Sequence, residues 1–182
     1  MYASDIIPEG YITIVKAFGC LNIIECFCEP WQYLTYEYHG MKYDDGWNEA
    51  FAKLSSYYNG SNAEEKSFAF GYPVVVEIIP GEGPACESKM IFRSVLDKNH
   101  TNAPAPIQDS GLKLTSLSRL HVYARPLLGP NTEDGFRNQS LTFSHDLESI
   151  QKKFKPEPYY WVVSSSPDVD PVHTQIWFTV DD

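Results

Sequence analysis

The sequence has no apolar run near the roughly 20 residues that a membrane-spanning helix requires, so it offers no integral membrane segment. It is short of positive charge: 14 Lys and Arg stand against 24 Asp and Glu, a net charge of -10. A nucleic-acid or anionic-membrane partner would want a basic stripe, so both are excluded as first expectations. The catalytic and nucleotide motifs are missing too. There is no Gly-x-Ser-x-Gly elbow, P-loop, dinucleotide fingerprint, His-Glu-x-x-His or EF-hand loop. The five histidines, His39, His100, His121, His145 and His173, are scattered. His145 and Asp146 are neighbours in a helical stretch, where adjacent side chains point apart. With no acid/base constellation, the chain reads as a non-enzyme.

Cysteine is scarce: Cys20, Cys26, Cys28 and Cys86. Four residues allow two disulfides in three connectivities. Cys26 and Cys28 would share one face of a strand, which disfavours a bond between them; a more natural pairing ties one of them to Cys86. The alternative is four thiols acting as small hydrophobes. A metal site is not expected, because Cys-x-Cys lacks a second ligand pair.

What is present is a folding composition. At 43% hydrophobic and 21% charged residues, 182 residues make one ordinary domain with a real core. Aromatics reach 14%, which suits a sheet-rich core or a pocket for a flat ligand. Three glycosylation sequons begin at Asn59, Asn99 and Asn138, where chance gives about one. They favour an extracellular location, with a cytoplasmic one as the alternative. The start is no convincing signal peptide, since Lys16 interrupts the apolar stretch and Asp5 and Glu9 precede it.

Residues 1–22 read as an irregular lead-in to a domain spanning 23–182. Trp31–Tyr38 alternates as a strand. Asp44 and Asp45 offer an N-cap, and Trp47, Phe51, Leu54 and Tyr58 follow at i, i+4, i+7, i+11 on one helix stripe that Asn59-Gly60 stops. Strands are expected at 68–79 and 89–96 around the turn Pro80–Pro84, forming a hairpin, and a second strand pair at 112–115 and 120–125. Residues 127–134 read as a turn-rich crossover. A second helix carries Phe143, Leu147, Ile150 and Phe154 at the same spacing, with Lys152 and Lys153 at its C-terminal end. Strands at 159–164 and 175–180 close the chain. The repeated order implies a pseudo-duplicated α+β domain, helices packed on an antiparallel sheet.

Several landmarks resemble, in order, those of the SOUL haem-binding-protein family between Cys28 and Val180. Glu29-Pro30 leads into a strand. Ala50–Tyr57 continues into Asn59-Gly60-Ser61-Asn62, like the family's helix ending in a Tyr and a Gly-x-Asn turn. Tyr72-Pro73-Val74 precedes Pro80-Gly81-Glu82-Gly83-Pro84, Val122-Tyr123-Ala124-Arg125 follows, and Tyr159-Tyr160 and Trp177 close the series. The resemblance implies a distorted antiparallel β-barrel with two flanking helices and internal two-fold pseudosymmetry. It also implies non-enzymatic binding of haem b or another porphyrin on the apolar face beside the first helix.

Carried over residue by residue, the resemblance places the cofactor against Trp47, Asn48, Phe51, Ser55 and Ser56. A candidate axial His three residues before the strand-opening Pro is replaced here by Phe27. Asn48 and Ser56 stand where some members have Arg and Lys for the propionates. The loop before the last strand carries Asp168 and Asp170, and Phe70 replaces a Met. His39, at the end of the first expected strand, is then the remaining axial candidate. Two functions follow: a monomeric tetrapyrrole carrier or buffer, or a secreted, glycosylated protein of this fold that has lost haem and binds a protein or small hydrophobic ligand.

Overall fold

The computed structural model describes residues 10–83, 86–96, 102–165 and 173–181. Its strands are β1 (Ile12–Phe18), β2 (Ile23–Cys28), β3 (Trp31–Gly40), β4 (Val74–Ile79), β5 (Ser88–Val95), β6 (Leu112–Leu117), β7 (Leu120–Pro126), β8 (Phe154–Val163) and β9 (Thr174–Val180). Two helices, α1 (Tyr43–Tyr58) and α2 (Glu133–Ser149), follow β3 and β7. All nine strands join one antiparallel sheet in the order β1-β2-β7-β9-β8-β4-β5-β3-β6.

That order exposes the duplication. The unit β3-α1-β4-β5 lays its strands side by side as 4-5-3, and β7-α2-β8-β9 as 8-9-7. The units meet where β4 pairs with β8, Val76 facing Trp161. The strand preceding each unit crosses to the other, β2 beside β7 and β6 beside β3. β6 and β7 therefore do not form the strand pair expected between them; the hairpin of β4 and β5 is present.

The sheet is not closed, yet it curls into a distorted barrel-like shape. Inner-face residues of distant strands fill one cluster: Cys26 and Cys28 of β2, Tyr33 of β3, Val75 of β4, Val162 of β8 and Trp177 of β9. Tyr11 spans the gap between the two ends of the sheet, its ring 5.3 Å from Trp31 and its hydroxyl 2.7 Å from that of Tyr33. The outer face, holding Leu34, Val76, Phe92 and Trp161, packs against the helices through Tyr43, Leu54 and Tyr58 of α1 and Phe136, Phe143 and Leu147 of α2.

Several expectations are corrected. Within the lead-in, Ile12–Phe18 is a strand rather than irregular chain; a bulge between Ile14 and Lys16 breaks the alternation that would have revealed it. Asp44 and Asp45 lie in the first turn of α1, not at its cap, and the Tyr43 amide donates to Glu133 Oε2 at 3.0 Å. The strand expected at 68–79 begins at Val74, because Pro73 has no N–H for a ladder and Phe68 and Phe70 turn towards α1. α2 starts before its expected stripe, inside the presumed crossover. Thr132 caps it by accepting from the Gly135 amide at 3.1 Å. It stops at Ser149, so Lys152 and Lys153 lie beyond it and Phe154 opens β8 against Phe178. All four cysteines are free, with Cys26 and Cys28 buried in the inner core and Cys20 and Cys86 exposed, so no disulfide ties either buried thiol to Cys86.

Candidate functional site

Successive residues of an α-helix are about 100° apart, which fixes the faces of α1. Tyr43, Gly46, Ala50, Leu54, Tyr57 and Tyr58 are buried against the sheet. Gly46 is required there: a Cβ would come 2.7 Å from the Tyr38 ring. On the flank towards β4 lie Trp47 and Phe51, both half-buried. They stack 5.9 Å apart at 24°, and Phe51 continues to Phe70 at 5.2 Å, which meets Tyr72 at 4.8 Å. The result is a row of four partly exposed aromatic rings, Trp47–Phe51–Phe70–Tyr72, backed by Phe92 at 6.0 Å from Trp47 and Tyr58 at 4.9 Å from Phe70. Such a surface suits a flat apolar ligand.

The polar border of this row is set by the same periodicity. Asp44, Asn48 and Ser55 stand at i, i+4 and i+11 with Phe51 at i+7, so an acid, an amide and a hydroxyl line its solvent edge. Of the residues assigned from the sequence, the structure thus gathers Trp47, Asn48, Phe51 and Ser55. It separates two others. Ser56 lies on the opposite flank, donating to Ser61 Oγ at 2.8 Å. There a groove of about 420 Å³ runs between Ala52, Lys53 and Ser56 of α1 and Ile107, Gln108 and Asp109 of the loop before β6. Lys53 is held in that region by the Ser110 carbonyl at 3.0 Å, 5.1 Å above the Tyr36 ring.

His39 lies on the face of the sheet turned away from the aromatic row. Strand alternation turns Tyr36 and Tyr38 towards α1, where Tyr36 donates to Glu49, and turns Glu37 and His39 away. His39 Nε2 lies 3.0 Å from Glu37 Oε1, and Lys89 reaches the same carboxylate at 2.8 Å. The hydrogen bonds from Lys89 and His39 hold Glu37 below the usual carboxylate range. His121 stacks on Phe27 at 4.4 Å and contacts Glu25, and His145 is exposed beside Glu148. The His173 amide donates to Ser165 Oγ. His100, Asp168 and Asp170 lie outside the described residues. No group of three or more His, Cys, Asp or Glu among the described residues could hold a metal ion. No described histidine is placed beside the aromatic row.

Phe70, Tyr72 and Asp44 share this surface and are not among the residues assigned from the sequence. Their signal was available: Phe68, Phe70 and Tyr72 alternate, and Asp44 shares the stripe of Asn48. Asn59 and Asn138 are exposed, at the C-cap of α1 and on α2; Ser140 of the Asn138 sequon is buried and accepts the Trp161 indole N–H at 3.2 Å. Asn99 lies outside the described residues.

Comparison with known proteins gives a consistent picture. The family described as SOUL heme-binding protein matches residues 28–179. Human heme-binding protein 2 is 25% identical over 138 residues, covering 76% of this chain and 67% of that protein. Among solved structures, the C-terminal domain of EcmrR superposes with a TM-score of 0.63 at 9% identity, over 88% of this chain and 97% of that one. A hydrolase from Listeria innocua does so with a TM-score of 0.56 at 10% identity, over 88% and 92%. At these identities the two structures speak for the fold alone.

Proposed function

Because the chain belongs to the SOUL heme-binding protein family, we propose that it binds haem or a related tetrapyrrole without catalysis, as a carrier or buffer. Family membership supports a tetrapyrrole-binding role, and the observation that carries the location is the half-buried row Trp47–Phe51–Phe70–Tyr72. A flat ring laid on this row would remove its exposed apolar surface from water, at about 25 cal/mol per Å². Phe51 sits at the centre, with Trp47 and Phe70 on either side. Asn48 and Ser55 are placed to hydrogen-bond the ring's polar edge. The porphyrin supplies the chromophore and, as haem, an iron; the chain's own part is to orient the ring and shield one face from water.

The test is an equilibrium titration of the full chain with haemin. A saturable change in the Soret band, with quenching of tryptophan fluorescence at the same stoichiometry, is expected. A featureless, linear titration contradicts the proposal.

A further inference from the structure

The charge around the aromatic row bears on which tetrapyrrole it accepts. Resting on the reading above, we propose that the α1 flank favours a tetrapyrrole whose edge towards α1 carries no free carboxylate over the dianionic haem b. Esterified, neutral and cationic rings meet that condition.

Two propionates need cations with matching geometry, above all a guanidinium fork. The stripe bordering the row offers Asp44, Asn48 and Ser55 instead. The positive end of the α1 dipole, which could attract an anion, is already faced by Asp44 and Asp45 in the first turn and by Glu133, whose carboxylate accepts the Tyr43 amide. Among the described residues, Lys42 stands at the N-cap of α1, where Asp44, Asp45 and Glu133 outnumber it, and three other cations around the helix are engaged elsewhere. Lys53 is on the opposite flank with the Ser110 carbonyl. Lys89 serves Glu37 on the other face of the sheet. Arg137 gives two N–H bonds to Glu133, at 2.7 and 3.0 Å. A dianion laid on the row would therefore meet an acidic border on a molecule of net charge -10. A ring with esterified or cationic substituents keeps the same aromatic contact without that repulsion.

The experiment titrates the full chain with haemin, haemin dimethyl ester and a tetracationic porphyrin, at low salt and at about 0.5 M salt, where charge is screened within a few ångströms. The ester and the cationic ring should bind at least about fivefold more tightly than haemin at low salt, as expected for exposed charges each worth under about 1 kcal/mol. The gap should narrow at high salt. Asn48 is exposed, so Asn48→Arg should preserve the fold; whatever it does to the contact with the ring, it should shift the ratio of haemin to ester affinity about fivefold towards haemin. Haemin binding as tightly as the ester, or an Asn48→Arg variant that leaves the ratio of haemin to ester affinity unchanged, overturns the inference and leaves tetrapyrrole binding standing. If none of the three ligands saturates, the inference falls together with the function on which it rests.

Discussion

At the turn after α1 one buried amide does the work of several backbone partners. Asn62 Nδ2 donates to the Tyr57 carbonyl at 2.9 Å and the Lys66 carbonyl at 2.7 Å, and its Oδ1 accepts from the amides of Glu64 and Lys66. These bonds close the loop that carries the chain from Tyr58 back towards Phe68 and Phe70, and so hold half of the aromatic row. Asn62→Ala would leave buried donors and acceptors unpaired and should lower stability by about 2–4 kcal/mol, read by chemical denaturation. Asn62→Asp, which keeps only the acceptor side, should fall between. The Gly-x-Asn pattern was readable in the sequence; what Asn62 binds was not, because its partners come from both sides of the turn. The side that a residue faces was the weaker inference. Ser56 points about 180° from Trp47, and His39 lies on the strand face turned away from the aromatic row, neither of which its motif or chemistry reveals.

Among the elements, the stripes of α1 and the alternation of β3 were legible because each carries one clear period over a full turn or more. β1 was not: its bulge at Val15, with Ile14 and Val15 exposed, erases the pattern. α2 was displaced for a related reason. Phe143 and Leu147 are genuine core residues, but Ile150 and Phe154 prolong the same spacing past the helix end, and Thr132, a good cap, lies within an apparent turn region. The aromatic segment before β4 read as strand because it alternates, although its rings serve α1. The segment before β1 is structural as well. Tyr11 is fully buried, touching Trp31 and Tyr33 at the seam of the curled sheet. Tyr11→Ala should cost about 3–5 kcal/mol by leaving a cavity there, whereas Tyr11→Phe, losing only the hydroxyl, should cost about 1 kcal/mol. Denaturant midpoints measure both. A Tyr11→Ala variant as stable as the parent would show that the sheet holds its curl without it.

For the whole molecule, the pseudo-duplication was legible as a repeated element order, but the exchange of β2 and β6 between the halves was not, since sequence pattern does not say which strands pair. The core formed by this exchange is rich in buried phenols and thiols. Burial pushes the Cys26 thiol up from 9.0 to about 12, with Cys28 and Glu25 adding to it, and the Tyr160 hydroxyl up from 10.0 to about 12. Burial raises Tyr11, Tyr43 and Tyr58 as well. These are acids whose charged forms the fold disfavours. Their contribution to stability is complete below the unfolded values and is lost as pH rises through the folded ones. Melting temperature should therefore decline between about pH 9 and pH 12, with the high negative charge adding to the loss. A melting temperature that holds steady across that interval would contradict the assigned burial.

A flat tetrapyrrole on the α1 flank would be reported directly by the tryptophan indoles. Trp47 is half-buried in the aromatic row, Trp177 lies in the inner core with its N–H on Gln175 Oε1 at 2.7 Å, and Trp161 bonds Ser140 beneath α2. Ring-current shifts act over a few ångströms, so a diamagnetic porphyrin titrated into ¹⁵N-labelled protein should move the Trp47 indole resonance, identified by its loss in Trp47→Phe, and leave that of Trp177 in place. Movement of the Trp177 indole with Trp47 unchanged would put the ligand inside the curled sheet and contradict the site on α1.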